Sequence, residues 1–203
     1  MRLILASESP RRKQYLALLT SDFDVVRSDA PETNEGTPEE RVEANARAKA
    51  TAVAVVRDGV ILGADTVVEV DGDVLGKPTS AEGARRMLHR LSGRAHRVLT
   101  GLCVVNTQTG AERSAVEETV VRFRKLTDAE IEDYLETGEA WDKAGAYGIQ
   151  GHAAPFVEGI LGDYYNVVGL PLCRLSLLLR EVGFAGGVGD GALQDGPAEG
   201  GSR

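Results

Sequence analysis

The chain has 203 residues, 42% of them hydrophobic, and a formal net charge of −8. Such a length and apolar content suffice for a buried core without disulfide support. The negative charge excludes a general binder of nucleic-acid polymers or anionic membranes, because those partners require a cationic surface that displaces counterions. A polyanionic small molecule remains admissible if basic side chains gather in one place.

Residues 2–6 form a short apolar run that predicts a buried strand. Ser9 then offers an N-cap and Pro10 suits the first helical position, so a helix is expected to reach Leu19. A second strand is expected over 23–27. Thr37, Pro38 and Glu40 make a capping box with proline at the first position, opening an alanine-rich helix that runs to Val56. Residues 60–64 and 66–70 read as strand, with Asp71-Gly72-Asp73 as a tight hairpin turn. Ser80 opens a helix to Leu91. Residues 96–105 and 117–123 read as antiparallel strands joined around 106–110. Thr127 and Glu130 form a second capping box for a helix to Thr137, and a last helix is expected over 171–182.

These elements predict an α/β fold with a mixed β-sheet and flanking helices, a single domain over residues 1–183. From 184 to 203 the chain turns to glycine, alanine, aspartate and proline, which predicts a tail without fixed structure. Cys103 and Cys173 lack paired spacing and read as reduced thiols. No run approaches the length of a membrane span, and the N-terminus places its basic residues after its apolar stretch, the reverse of a signal peptide. A cytoplasmic protein is expected.

Several segments carry chemistry. Ser7 to Lys13 follows a strand and opens a helix, so backbone N–H groups, the Ser7 hydroxyl and the forked donors of Arg11 and Arg12 converge where phosphate oxygens could bind. A solvated basic helix start has the same composition. Asp65 interrupts an apolar run at a strand end, where a carboxylate is costly unless it binds a metal, a base or a substrate group. A turn aspartate that caps local backbone is the alternative. Gly76-Lys77-Pro78 is not a P-loop, because the spacing from Gly72 is short and proline replaces the required hydroxyl residue. Lys77 and Lys49 can still act as point-charge phosphate ligands. His89, His96 and His152 are too scattered for a metal cluster, and no strained Gly-x-Ser-x-Gly turn supports a serine hydrolase. In the glycine-rich segment 142–151, glycine permits close backbone approach and Gln150 offers both donor and acceptor for a base. A plain turn would use the same residues.

Taken in order, Leu5-Ala6-Ser7 through Pro10-Arg11-Arg12, Gly63-Ala64-Asp65-Thr66, Gly76-Lys77-Pro78, His96 through Gly101, Asp142 through Gly151 and Asp163 through Pro171 resemble the Maf family of nucleotide pyrophosphatases. The resemblance covers roughly residues 3–182. It implies a twisted mixed sheet of the Maf/inosine triphosphatase-like kind, with two lobes around a nucleotide-binding cleft. It further implies that Ser7, Arg12, Lys49 and Lys77 hold a triphosphate, and that Asp65 is the general base and a metal ligand. Glu32 would be a second ligand to a divalent cation, Mg²⁺ or Mn²⁺. Arg11, Thr66 and Gln150 match the subfamily acting on dTTP and UTP, and the partner implied is a second copy of the chain in a homodimer. The reaction implied is water attack at the α-phosphorus, releasing monophosphate and pyrophosphate. The competing expectations are a non-catalytic nucleotide-binding regulator of septum formation and a hydrolase that clears modified nucleotides.

Overall fold

The computed structural model describes residues 1–184. Seven strands form one mixed sheet: β1 (Leu3–Leu5), β2 (Phe23–Val25), β3 (Val60–Val70), β4 (Asp73–Leu75), β5 (Ala95–Asn106), β6 (Glu112–Phe123) and β7 (Val157–Leu161). Their order is β2-β1-β3-β5-β6-β7, with β4 on β3 outside this path. β1 is parallel to both β2 and β3, while every other pairing is antiparallel. Among the described residues, six α-helices flank the sheet: α1 (Pro10–Leu16), α2 (Pro38–Ala54), α3 (Ala81–Leu91), α4 (Asp128–Glu136), α5 (Tyr164–Val167) and α6 (Leu172–Glu181).

The period of a strand explains why β1 and the first half of β3 are apolar without interruption. Leu3, Leu5 and Leu62 face a core closed by Leu16, Leu175 and Leu179, whereas Ile4, Ala6 and Ile61 face Ala46 and Ala50 of α2. A third cluster lies at the far end of the sheet, where Val68, Val98 and Phe123 pack against Leu88, Ile131, Tyr147 and Phe156.

The caps read from sequence set the helix starts. Thr37 with Glu40 and Thr127 with Glu130 form complete capping boxes, and Ser80 accepts from the Gly83 amide. Asp71 and Gly72 both take positive φ, 54° and 83°, as a two-residue hairpin turn requires.

Five expectations change. β3 is a single 11-residue strand through Asp65, so this aspartate sits mid-strand and not at a strand end. α1 stops at Leu16, three residues early, in a run of turns. β6 begins at Glu112, because pairing with β5 extends through a polar, half-exposed stretch that carries no apolar signal. β7 and α5 were not expected; β7 is mostly exposed, and α5 is one short turn. Phe184, placed in the expected tail, is 8% exposed and packs with Leu179 and Val182 in the core. The rest of that tail, 185–203, lies outside the described residues.

Candidate active site

One edge of β3 creates the site. Along this edge β1 pairs as far as Leu5 with Leu62, and β4 begins with Leu75 opposite Val68. Between them, residues 63–67 face no strand, while their other edge is fully paired with β5. The gap opens into a cleft of about 600 Å³. Because the sheet is missing there, side chains from both faces of β3 reach it, so Asp65 and its neighbour Thr66 share one cavity despite pointing to opposite faces.

α2 supplies the wall beside Asp65, and two glycines let it come close. A methyl group on Gly63 would lie 2.1 Å from the Ala46 carbonyl oxygen, and one on Gly101 would lie 2.2 Å from that of Val42. These contacts are against backbone, so any larger residue would push the helix outward. At this short range, Lys49 Nζ lies 2.7 Å from both Asp65 Oδ1 and Glu32 Oε1. Asn45, one turn earlier, donates to Asp65 Oδ2 at 3.1 Å and to the Thr33 carbonyl at 3.2 Å, and accepts from the Thr33 amide at 2.7 Å. It is 2% exposed. Asn45 thus ties the loop carrying Glu32 to the strand carrying Asp65. Hydrogen bonding from Lys49 leads the causes that hold the Glu32 carboxyl below its ordinary range, with Lys77 and Arg12 adding attraction.

Arg12 forms the opposite wall. Its Nε donates to the Gly169 carbonyl at 2.9 Å, Nη1 to Ser7 Oγ at 3.2 Å and Nη2 to Thr66 Oγ1 at 3.0 Å. Desolvation lowers its pKa from the ordinary 12.5, with Arg11 acting in the same direction and Asp65 and Glu32 against it. It remains a cation. The segment 163–171 exists to present Gly169: buried Asn166 donates to the Val98 carbonyl and to Thr119, and its own carbonyl accepts from Thr100, which bonds Thr66 at 2.9 Å.

The other end of the cleft is loop-built. Arg11 Nη1 pairs with Asp142 Oδ2 at 2.7 Å, Lys143 Nζ holds Asp142 Oδ1 at 2.6 Å, and Gln150 donates to the Tyr15 hydroxyl. The glycines of this segment pack against protein side chains. Gly145 approaches Val68 side-chain carbons, Gly148 the Lys143 stem and Gly151 the Glu139 carboxylate.

Of the basic residues, Arg11, Arg12, Arg27, Arg41, Lys49, Lys77 and Lys143 line the cleft, against Glu8, Glu32, Asp65 and Asp142. A locally positive cavity in an acidic protein suits a polyanion.

Residues 2–182 match a family model described as Maf-like protein. The chain belongs to the Maf family. It is 53% identical over 182 residues to a protein of Thermococcus gammatolerans named dTTP/UTP pyrophosphatase, covering 90% of this chain and 97% of the relative. Proteins of the same name from Alkaliphilus metalliredigens and Symbiobacterium thermophilum are 50% and 51% identical, covering 89% and 93% of this chain and 95% and 99% of theirs. Among solved structures, the Staphylococcus aureus Ham1 protein is similar over 61% of this chain and 72% of its own, at 16% identity and a TM-score of 0.46.

All eight residues that the Maf resemblance singled out beside Glu32 line this one cleft, and so does Glu32: Ser7, Arg11, Arg12, Lys49, Asp65, Thr66, Lys77 and Gln150. Thr66 accepts from Arg12, whereas Arg11 pairs with Asp142 and Gln150 with Tyr15. Sequence reading missed Asn45 and Tyr15, and named Thr100, Asp142 and Asn166 only as parts of motifs, without a role. Asn45 had a usable signal, since it precedes Lys49 by one helical turn; the others depend on contacts distant in sequence.

Proposed function

We propose that this chain hydrolyses nucleoside triphosphates, dTTP and UTP foremost, to the monophosphate and pyrophosphate. The observation that carries the reading is the Glu32–Lys49–Asp65 cluster in a cationic cleft, with Asp65 at the open edge of β3. The relatives named dTTP/UTP pyrophosphatase support the substrate choice.

Among the described residues there is no group of three or more side chains able to hold a metal unaided. Two carboxylates meeting at one ammonium nevertheless fit Mg²⁺ or Mn²⁺, which take one or two protein carboxylates and complete their shell with phosphate oxygens and water. Glu32 and Asp65 would hold the ion, which when bound would neutralise phosphate charge. Ser7, Arg12, Lys49 and Lys77 bind and orient the triphosphate. Asp65 takes a proton from water as that water attacks the α-phosphorus, and the bond to the bridging oxygen breaks to release pyrophosphate. Arg11 and Gln150 meet the pyrimidine, with Thr66 setting Arg12 beneath the sugar-phosphate junction. No described helix is long and apolar enough to cross a membrane; a cytoplasmic homodimer is the setting this reading takes.

The test is turnover of a panel of canonical and modified triphosphates with Mg²⁺ or Mn²⁺, identifying every product. UTP or dTTP converted to monophosphate and pyrophosphate is the expected result. Orthophosphate as the first product would place the attack elsewhere, and nucleotide binding without turnover would sink the enzymatic reading.

A further inference from the structure

α2 presents a second polar residue to the cleft beside Lys49. Arg41, Asn45 and Lys49 recur at four-residue intervals, so they lie along one face of the helix. Asn45 and Lys49 are engaged with Asp65 and its loop. Arg41 also lines the cleft, yet among the described residues it has no ion-pair partner, and its Nε is buried with none for its proton. That is costly for a guanidinium whose five donors are made for oxygen acceptors. The acidic groups of the cleft are already committed, Asp142 to Arg11, Glu8 to Arg27, and Glu32 and Asp65 to Lys49. A ligand entering the cleft can supply the missing acceptor.

The position says which part of the ligand. Arg41 and Lys49 are about 12 Å apart along the helix axis, a distance two long side chains can narrow from its ends. Val42, beside Arg41, packs on Val67 of β3, two residues beyond Asp65 and toward β4. Arg41 thus stands past the hydrolytic carboxylate, on the helix wall, whereas Arg11, Tyr15 and Gln150 stand on the wall formed by α1 and the loop. With the α-phosphorus beside Asp65 and the base toward Gln150, the β- and γ-phosphates extend toward Arg41.

We propose that Arg41 binds the terminal phosphates of the substrate and holds the departing pyrophosphate, a forked guanidinium meeting paired phosphate oxygens. The assignment rests on the pyrophosphatase reading for the direction of the substrate, but its test does not need turnover.

Inorganic pyrophosphate and UMP, each with Mn²⁺ or Mg²⁺, would be titrated calorimetrically onto full-length wild-type protein and the Arg41→Met and Arg41→Lys variants, with thermal midpoints checking the fold. Expected is a pyrophosphate affinity about 10- to 100-fold weaker in R41M, partly restored in R41K, with UMP binding unchanged. Unchanged pyrophosphate affinity in R41M, an equal loss for UMP, or no pyrophosphate binding by the wild type would overturn the assignment. UTP turnover by the wild type, measured alongside, reports separately on the enzymatic reading. Arg41-dependent pyrophosphate binding without hydrolysis would remove that reading and leave Arg41 as a diphosphate ligand.

Discussion

The two ends of the cleft differ in how much of each is loop. Around Asp65 the contacts join regular elements, Asp65 on β3 to Asn45 and Lys49 on α2, held at short range by Gly63 and Gly101, and the one loop residue, Glu32, is matched to Lys49 on a loop that Asn45 ties down. Around Gln150 a loop supplies one partner of each contact: Asp142 and Gln150 pair with Arg11 and Tyr15 of α1. A rigid scaffold fixes positions for chemistry, where a small misplacement is expensive. A loop-built wall tolerates exchange of partners, which recognition of different bases requires.

The largest expected effect breaks the rigid end. Asp65→Asn keeps the shape and the Asn45 contact but removes the proposed base and half of the charge facing Lys49. Turnover of UTP should fall by about 10²- to 10⁴-fold, the usual contribution of a positioned general base, with the denaturation midpoint little changed. Near-normal turnover in a folded variant would show that Asp65 does not take the proton.

The second effect lies under the loop-built end. Tyr147 and Ile149 line the cleft there, and behind Tyr147 sits His96, 3% exposed, its Nε2 at 2.8 Å from the Tyr147 hydroxyl and its ring edge-on to Phe123. Burial lowers the His96 pKa to about 4 from 6.5. The folded protein therefore keeps His96 neutral where the unfolded chain has taken up a proton. Stability from this group is fully present above pH 6.5 and is lost as pH falls from 6.5 to 4, by about 3 kcal/mol at 1.36 kcal/mol per unit. Denaturant titrations across this interval should show the loss, and His96→Gln should flatten it. An unchanged slope in the variant would assign the acid sensitivity to other groups.

What could be read in the sequence follows the same division. α2, α3 and α4 announced themselves because capping is local chemistry: Thr37, Ser80 and Thr127 each accept from an amide three residues on. Asp65 was recognisable as an expensive residue but was misplaced at a strand end, since an aspartate disfavours strand and only the missing neighbour between β1 and β4 makes its position tolerable. Which strand lies beside which is a long-range fact. The loop-built end was less legible still. Glycines at 145, 148 and 151 read equally as openings for a ligand or as a plain turn; a side chain there would meet Val68, Lys143 and Glu139, and Gly148 also lines the cleft. The exposed β7, with Glu158 and Gly159 inside it, offered no alternation to read.

The smallest effect tests whether the flexible wall sets preference. Arg11 is held by the Asp142 carboxylate, which is itself drawn below the ordinary range, to about 2; burial opposes this, and hydrogen bonds from Lys143 and Arg11 outweigh it. Asp142 is therefore ionised at neutral pH, and a pyrimidine carbonyl must compete with it for the guanidinium. That pair is half-exposed, so its strength is about 1 kcal/mol or less, weak enough for a substrate to displace. Arg11→Ala should lower kcat/KM for UTP relative to GTP by about 10-fold, one hydrogen bond to a carbonyl in a partly wet site, while pyrophosphate affinity stays unchanged. If R11A instead weakened pyrophosphate and left the UTP to GTP ratio alone, Arg11 would belong with Arg12 among the phosphate ligands. The difference between the two ends would then be one of construction only, and base preference would have to be sought in Gln150 and Tyr15.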